Sequence, residues 1–414
     1  MSDASEVFST ADERVSATIG GLKTTELCDH CLGRLVGKVG HGYSNDERGR
    51  IVRKGMGVPE LPAGKKCHIC GNIFDSTGQM ALAVSRRLST VEYSTFSVGS
   101  RYDPALLDRE ETIWAECGNE FAEPIKGEVN REVGKRVERI TGRRVDTKNP
   151  DVTAIIDVNF FEVDLEIHSL YIYGRYLKFD RTLPQTRWPC RKCQGKGCEH
   201  CGGTGKMYQE SVEELIRPEF MKAAESQETA MHGMGREDID ARMLGNGRPF
   251  VLELKRPAKR AVDLTALAER TNAANRGRVE VTGLRPSDKE EVRALKEAEA
   301  EKSYRVIVEF PAVVEPTKLI EAVGSLRQSR IEQRTPNRVS HRRSDLVRSR
   351  SVFDAEVEAI EGARATIRVR AASGTYIKEL MNGDEGRTSP SLAGLLGTKV
   401  SVVQLDVIGI HDKG

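Results

Sequence analysis

Gly235-Arg-Glu-Asp-Ile-Asp-Ala-Arg-Met-Leu-Gly-Asn-Gly-Arg-Pro-Phe250 packs three acidic residues and three arginines between glycines, and it leads directly into the largely apolar run Phe250–Leu254. Buried charge is costly unless it is paired, so this mixture does not fit an ordinary structural core. The glycines and the proline set the backbone conformation, which favours a fixed loop. We therefore predict a functional loop that feeds a strand, with a charged surface turn as the alternative.

Composition limits the kinds of protein that could carry this loop. A chain of 414 residues is expected to form roughly two to four domains. The mean hydropathy is −0.46, and no apolar run approaches the roughly 20 residues that span a bilayer. The N-terminus lacks the features of a signal peptide, so we expect a cytoplasmic protein without a membrane segment. With 64 basic and 62 acidic residues, any nucleic-acid binding must depend on local patches.

The nine cysteines follow a regular pattern, from which only Cys117 departs. Eight of them form four Cys-x-x-Cys pairs, which are Cys28/Cys31, Cys67/Cys70, Cys190/Cys193 and Cys198/Cys201. In a reducing compartment such pairs predict structural Zn²⁺, one or two ions, each held by four thiolates. The pairing stays open, because two Cys pairs from distant segments could share a metal. Buried free thiols are the alternative, and His30 and His68 could replace a thiolate.

The cysteine pairs and the apolar patterning divide the chain into four regions, and the fold class expected for the whole is α+β. The regions are a zinc-binding N-terminal segment (1–75), an α/β module (76–187), a Cys₄ knuckle that links two modules (188–206) and an α+β domain with a mixed, largely antiparallel sheet (207–414).

Apolar periodicity predicts the main elements of the two larger regions. In the α/β module we expect helices over Gln79–Leu88 and Pro124–Ile140, and strands over Thr95–Val98, Thr153–Val158 and Glu162–Tyr173. In the last region we expect helices over 263–273 and 288–301, a short helix near Thr375, and strands over 250–255, Arg278–Thr282, Ser303–Phe310, Val352–Ile360, Arg364–Ala372 and Val400–Ile410.

One segment of the last region is strongly basic. Residues 327–350 contain eight arginines and two acids. Arginine grips phosphate through a bidentate fork, so this stretch predicts a nucleic-acid contact. Pro336 and the lack of apolar periodicity indicate a loop or an irregular arm. A solvated charged face is the alternative.

An acid beside a polyanion is unfavourable unless it takes part in chemistry. Asp238 and Asp240 could bind Mg²⁺ for phosphoryl transfer. Alternatively, one carboxylate could attack or deprotonate the sugar of an extruded nucleotide. The metal hypothesis depends on a single Asp-x-Asp, because the sequence shows neither a phosphate-binding glycine loop nor a His/Asp nuclease cluster.

Several longer motifs resemble one family. Arg236-Glu-Asp238 resembles the Arg-x-Asp motif of pseudouridine synthases, and Ser373-Gly-Thr-Tyr-Ile-Lys378 resembles a second motif of that superfamily. Further motifs that support the resemblance are Arg242–Phe250, Arg334-Thr-Pro, His341-Arg-Arg and Gly386-Arg-Thr-Ser-Pro-Ser-Leu392. With the paired cysteines, they make the chain similar to archaeal-type tRNA pseudouridine synthases that act on uridines 54 and 55 of the T arm. In that family, region 76–187 would be a THUMP-like RNA-binding module.

The resemblance implies a role for each residue that matches a motif. Asp238 would be the catalytic carboxylate, Tyr304 would stack on the target base, and Lys378 would pair with the aspartate. Asp240 stands where relatives often have glycine and is not expected to be the nucleophile, and Tyr376 is assigned to the core. The other substrate-binding residues implied are Ile377 and Leu405 in an apolar pocket, and Arg236, Arg242, Arg338, Arg342 and Arg343 on the RNA-facing side.

The resemblance also implies the partners and the electrostatics. It implies tRNA bound through its T arm, no catalytic cofactor, no protein partner and a monomer. Asp238 must be ionised to act, and we expect Arg236, Arg242 and Lys378 to lower its pKa against the opposing effect of Glu237 and Asp240.

Two other classes of protein compete with this hypothesis. A THUMP-type methyltransferase or thiouridine synthase would need a glycine-rich or pyrophosphatase loop after a strand, and Gly245-Asn-Gly247 comes before one. A non-enzymatic zinc-ribbon RNA-binding protein would explain the cysteines and arginines, but not the combination of Asp238, Tyr304 and Lys378.

Overall fold

The computed structural model describes Gly20 and residues 25–39, 42–342 and 344–412, with the side chains of His341 and Arg342 left out. The chain divides between His168 and Ser169 into two compact units. The expected boundary after residue 187 therefore lies inside the second unit. Among the described residues, no helix is long and apolar enough to cross a membrane.

The first unit is an α/β body with a small sheet. Its helices are α1 Asp29–Arg34, α2 Asn45–Met56, α3 Thr77–Leu88, α4 Pro104–Cys117 and α5 Ile125–Thr141. Its strands are β1 Thr95–Arg101, β2 Arg144–Val145, β3 Val152–Asp157 and β4 Val163–Ile167. They form a four-stranded sheet in the order β2-β1-β3-β4, with β1 parallel to both neighbours and β3 antiparallel to β4.

A single hydrophobic core runs through the first unit. Helix α3 buries Met80, Val84 and Leu88, which share one face because they recur at helical spacing. The cysteine-rich segment contributes Leu32 and Cys67 to the same cluster of buried side chains. The N-terminal segment and the α/β module, expected as separate regions, thus fold as one body.

The second unit is built on a large sheet. Its strands are β5 Leu170–Lys178, β6 Glu228–Gly233, β7 Arg242–Lys255, β8 Val279–Ser287, β9 Glu301–Glu309, β10 Ser329–Arg334, β11 Val347–Glu361, β12 Arg364–Ala371, β13 Thr388–Ser389 and β14 Ser401–His411. The order in this ten-stranded sheet is β13-β10-β11-β12-β9-β14-β7-β5-β8, and β6 also pairs with β7. The pairing of β14 with β7 is parallel and the other pairings are antiparallel. The expected α+β class with a largely antiparallel mixed sheet is confirmed.

Six helices accompany this sheet in the described chain, and they are α6 Val212–Ala224, α7 Leu264–Ala274, α8 Lys289–Glu297, α9 Pro316–Leu326, α10 Ile377–Asn382 and α11 Leu392–Leu396. The core follows the two-residue period of the strands. In β9, for example, Tyr304, Val306 and Val308 are buried on one face. Tyr304 therefore stands in line with the core residues of the central strand.

The predicted strand Glu162–Tyr173 is wrong as a single element. β4 ends at Ile167 in the first sheet, and β5 begins at Leu170 in the second. The alternation of side chains continues through both strands, so periodicity alone does not reveal that the chain passes from one unit to the other at His168.

The prediction of an irregular arm over 327–350 is also largely wrong. β10 and β11 pair as an antiparallel hairpin, with Ser329 opposite Val352 and Arg334 opposite Val347. The described part of the connection between these strands contains a 3₁₀ turn at Asn337–Arg342. Four of the eight arginines, Arg330, Arg334, Arg348 and Arg350, thus lie on paired strands.

The glycines of the opening sequence stretch allow β7 to run close to its neighbour β14. Gly245 has a φ of +63°, and a Cβ atom added there would lie 1.9 Å from the carbonyl oxygen of Ile408. Asn246 secures the same contact by donating to the Ile410 carbonyl at 2.7 Å and accepting from its amide at 3.0 Å. Any side chain at position 245 would push the two strands apart.

We predict that Gly245→Ala destabilises the second unit by about 3 kcal/mol or more, because backbone strain and a backbone clash add. Gly362→Ala is the matched control. It shares the positive φ, +60°, but nothing lies within 4 Å of the added methyl group, so about 1–2 kcal/mol of strain is expected. Urea unfolding measures both, and equal losses would contradict the proposed close approach.

Candidate active site

A cavity of about 810 Å³ opens in the second unit where the β6–β7 loop meets the sheet. Its volume is typical of ligand pockets, which span about 300–1,000 Å³. The loop itself, β9, the β10–β11 loop, the start of α10 and β14 all contribute to its wall. Among the lining residues are seven that sequence analysis selected, namely Arg236, Asp238, Tyr304, Arg338, Ile377, Lys378 and Leu405.

A buried ion pair anchors the loop. Nε of Arg248 lies 2.8 Å from Oε2 of Glu237, and neither side chain is more than 1% exposed. The Tyr176 hydroxyl donates to the same carboxylate at 2.9 Å. Burial alone would raise the pKa of Glu237, but Arg248 and Lys178 outweigh it and lower that pKa. Glu237 therefore has a structural role, and its charge is neutralised by Arg248 in the buried part of the cavity wall.

The backbone around Asp238 is held by buried or half-buried cations. The Lys178 ammonium donates to the carbonyl oxygens of Leu183 and Ile239, at 2.8 Å each. Arg181 donates to the Asp240 carbonyl at 2.8 Å. These bonds hold the peptide groups that follow the catalytic candidate, so the backbone on this side of Asp238 is fixed.

The Asp238 carboxylate faces two cations. Oδ1 accepts from Nη1 of Arg338 at 3.1 Å, and Oδ2 lies 3.7 Å from Nζ of Lys378. Arg338 is itself oriented by Glu379, which accepts from its Nε at 2.7 Å. Burial tends to lower the pKa of Arg338, but Glu379 more than offsets this and raises it. With 29% of its side chain exposed, Asp238 is reachable from the cavity.

The nearest partner of Lys378 is Asp240. Its Nζ lies 2.7 Å and 2.9 Å from the two carboxylate oxygens of Asp240, a full ångström or so closer than to Asp238. Burial alone would raise the pKa of Asp240, but Lys378 outweighs it and lowers that pKa. Lys378 therefore bridges two carboxylates, whereas the sequence had assigned it to Asp238 alone.

An apolar wall faces these charges. Tyr304, Ile377 and Leu405 are each at most 8% exposed, and all three line the cavity. Burial raises the pKa of Tyr304 to about 12, so its ring carries a neutral hydroxyl at neutral pH. This side of the cavity offers a flat ring and two aliphatic side chains to a planar ligand.

Some predicted site residues lie elsewhere. Arg242 is exposed, and its Nε donates to the Phe179 carbonyl at 3.1 Å, so it does not line the cavity. The side chain of Arg342 and the whole of Arg343 lie outside the described residues. Tyr376, which was assigned to the core, is half-buried and lines the cavity.

Sequence reasoning missed other residues of the wall. Lys302 is buried two residues before Tyr304 on the same face of β9, and its Nζ donates to the Ala300 carbonyl at 3.1 Å. Burial, together with the nearby Arg248, lowers the pKa of Lys302 to about 8. The two-residue period of β9, which places Lys302 on the same face as Tyr304, is the sequence signal that could have identified it. Trp188 and Tyr208, which flank the second cysteine cluster, also line the cavity.

The four cysteines of the first unit converge although their two pairs are distant in sequence. The sulfurs of Cys28, Cys31, Cys67 and Cys70 all lie within 4.8 Å of one another. The sulfurs of Cys28 and Cys70 are 3.6 Å apart, close to the roughly 3.8 Å expected for four thiolates around tetrahedral Zn²⁺. His30 instead contacts Glu128 at 2.7 Å. This cluster fits a closed, structural metal site.

The second cluster lies within one short segment of the second unit. The sulfurs of Cys190 and Cys198 are 3.9 Å apart, as are those of Cys193 and Cys201. Residues 190–197 and 198–205 are two copies of a Cys-x-x-Cys-x-Gly-x-Gly unit. The last glycine of each copy donates its amide to a cysteine sulfur at 3.2 Å, and the bonds are Gly197 to Cys193 and Gly205 to Cys201. The pairing question is thereby answered, since the eight cysteines form two separate four-thiolate sets.

Both units match known family models. Residues 80–157 match the model described as the Pus10 THUMP domain, archaeal. Residues 171–411 match the model described as Pus10, C-terminal. The second match spans more than half of the chain and contains every described residue of the cavity wall.

Relatives match over nearly the full length. The tRNA pseudouridine synthase Pus10 of Methanothrix thermoacetophila is 43% identical over 97% of this chain and 95% of its own. That of Halorubrum lacusprofundi is 42% identical over 94% of each chain. Among solved structures, a chain of the archaeal box H/ACA sRNP Nop10-Cbf5 complex aligns at 14% identity with a TM-score of 0.29, over 56% of this chain and 46% of that one.

The family models and the relatives define the class of this protein as an isomerase of the pseudouridine synthase type. The chain belongs to the Pus10 family of tRNA pseudouridine synthases. The family expected from the Arg-x-Asp and Gly-Thr-Tyr-Ile-Lys motifs is thus confirmed, and so is the THUMP assignment.

We predict that Glu237→Gln destabilises the second unit by about 3–5 kcal/mol, because it leaves Arg248 buried without a counter-charge. Glu309→Gln is the control. Its partner Arg364 lies 2.8 Å away, but both side chains are about half exposed, so a loss of about 0–1 kcal/mol is expected. Urea unfolding at neutral pH measures both, and similar losses would show that the buried pair does not anchor the unit.

The Glu237–Arg248 ion pair should also make the stability of the second unit depend on pH in the acidic range. Folding lowers the pKa of Glu237, so the stability it contributes is present above the ordinary glutamate pKa of about 4.3 and is lost as the pH falls through the folded value. Glu237→Gln has no such proton to take up. Unfolding measured from pH 6 downward should therefore show a shallower acid dependence in the variant, and parallel curves would contradict this.

Proposed function

We propose that this chain isomerises uridine to pseudouridine at position 54, position 55 or both in the T arm of tRNA, with Asp238 as the catalytic carboxylate. One observation carries the proposal. Asp238, the acid at the Arg-x-Asp position, lines the cavity with 29% of its side chain exposed, and it lies between two cations and beside a buried tyrosine. The family membership supplies the reaction class.

The chemistry needs one ionised carboxylate. The C1′–N1 bond of uridine breaks, the freed uracil rotates, and a C1′–C5 bond forms, while the proton lost from C5 is balanced by one gained at N1. Asp238 serves either by adding to C1′ or by removing the C2′ proton. Arg338 and Lys378 lie 3.1 Å and 3.7 Å from its oxygens. Because the reaction moves no net atoms or electrons, it consumes no redox or nucleotide cofactor.

The target base must leave the RNA stack to reach Asp238, at a cost of a few kcal/mol. Tyr304 would stack on the flipped uracil, which is worth roughly 1–3 kcal/mol. Ile377 and Leu405 would enclose its edges, because their side chains complete the apolar wall. Arg338 binds Asp238 and also belongs to the arginine-rich hairpin, so one residue would connect phosphate recognition with the catalytic loop.

The remaining roles extend the same proposal. The THUMP unit and the arginines of the β10–β11 hairpin would hold the shape and phosphates of the tRNA. The two cysteine clusters would each hold a structural Zn²⁺, since their closed four-thiolate geometry leaves no position for substrate. Cytoplasmic location and action as a monomer stay predictions from the sequence.

We expect Asp238→Asn to abolish pseudouridine formation, by at least about a thousandfold, while tRNA affinity stays near the wild-type value. The assay measures tritium release and affinity on unmodified transcripts that keep a uridine at only position 54 or only position 55. Asp240→Asn is the matched control in the same loop and should still form product. Product from Asp238→Asn would refute the catalytic assignment, and the two transcripts show which position is used.

Metal analysis should give close to two zinc ions per chain, one for each four-cysteine cluster. Cys193→Ser should lower the content by one ion, whereas Cys117→Ser should leave it unchanged, because Cys117 lies outside both clusters and its sulfur contacts the Ile113 carbonyl. Elemental analysis of purified protein measures this. A protein that folds normally without zinc would show that the cysteines are free thiols.

A further inference from the structure

A second aromatic surface borders the cavity. Trp188 and Tyr208 meet edge to face with ring centroids 5.6 Å apart, and the Arg236 guanidinium lies 5.2 Å from the Trp188 centroid. All three residues line the same cavity as Asp238 and Tyr304. The cavity therefore has two aromatic walls, of which the flipped uracil would use one.

The Cys190–Cys201 knuckle holds this surface in place. Its two ends form a short antiparallel ladder, in which the Met207 amide donates to the Trp188 carbonyl at 2.9 Å and the Cys190 amide donates to the Gly205 carbonyl at 2.8 Å. Trp188 lies two residues before the first thiolate. Closing the four-thiolate set thus fixes the spacing of the ladder and, with it, the position of both rings.

A connection also runs from this surface to the catalytic loop. Arg236 comes directly before Glu237, the residue anchored by Arg248. Gln185, on the segment that leads to Trp188, donates to the Gly235 carbonyl at 3.0 Å. The aromatic surface is therefore joined on both sides to the loop that positions Asp238.

Burial argues against a purely structural role for these rings. Trp188 and Tyr208 are only half-buried, and neither belongs to the hydrophobic core of the second unit in the described chain. Aromatic side chains and arginine planes that are exposed beside a nucleic-acid site are suited to stacking on unpaired bases.

We propose that Trp188, with Arg236 and Tyr208, is a second stacking site for the nucleotide next to the target uridine, and that the metal of the Cys190–Cys201 knuckle is what positions it. The proposal rests on the proposed function. Flipping one uridine removes a stacking partner from its neighbour, so a surface that accepts the neighbour would offset part of the cost of flipping. The knuckle would then belong to the RNA site itself.

Tryptophan fluorescence tests the stacking directly. The chain has two tryptophans, so Trp114→Phe in the full-length protein leaves Trp188 as the reporter. With Asp238→Asn added to prevent turnover, a T-arm stem–loop RNA should quench the Trp188 emission. Unchanged emission at saturating RNA would overturn the proposal.

Affinity provides the second measurement. Loss of one stacked base corresponds to roughly a five- to hundredfold weaker Kd, so Trp188→Leu should weaken binding of the stem–loop by about tenfold, whereas Trp188→Phe, which keeps a ring, should weaken it much less. Equal affinity of the Trp188→Leu and parent proteins would overturn the proposal. Because both readouts report binding, they stay interpretable even if Asp238→Asn retains activity and the proposed function fails.

A third experiment tests whether the metal of the Cys190–Cys201 knuckle positions Trp188. In the Trp114→Phe background, Cys193→Ser should remove one zinc ion, shift the emission of free protein and reduce the RNA-induced quenching at least twofold. Zinc added back to protein depleted with a chelator should restore the quenching. Loss of the ion with unchanged emission and quenching would show that the knuckle does not position Trp188.

Discussion

The buried pair of Arg248 and Glu237 is the interaction on which the catalytic unit depends. Taking two charges out of water costs several kcal/mol for each ion, and good geometry and additional hydrogen bonds must offset that cost. Here the 2.8 Å contact and the Tyr176 hydroxyl fulfil that condition. The pair joins the β6–β7 loop to β7 and β5, so the residue that follows Glu237 in sequence is held by the core of the unit.

The three acidic residues of the β6–β7 loop lie in three different environments. Glu237 is fully buried against Arg248, Asp238 is partly open to the cavity beside Arg338, and Asp240 is largely exposed and held by Lys378. Each carboxylate thus has its own cation, and repulsion among them is reduced. Three carboxylates of one loop thus differ in burial and in partner, and the catalytic role that we propose for Asp238 depends on its position beside Arg338 and Tyr304 and not on residue type alone.

Sequence reasoning recovered what residue spacing encodes. The Cys-x-x-Cys pairs led to both clusters, and the motifs shared with a known family led to Asp238 and Tyr304. Sequence analysis did not predict the contacts between residues that are far apart in the chain. No local sequence pattern shows that Lys378 lies nearer Asp240 or that Arg338 is oriented by Glu379. Nor does one show that the arginine-rich stretch is a hairpin, because the strands of that hairpin are stabilised by neighbours far along the chain. Helices α4, α6 and α9 were missed for a related reason, since tertiary packing outweighs weak local patterns.

β5 has a consequence for how this chain can be divided. It begins just after His168, yet it lies between β7 and β8 and supplies Tyr176 and Lys178 to the loop that carries Asp238. A protein cut after residue 187, where the sequence suggested a border, would lose this central strand. β8 would be detached from the sheet, β7 would expose an unpaired edge prone to aggregation, and Glu237 would lose two of its partners. A working catalytic fragment must therefore begin before Leu170.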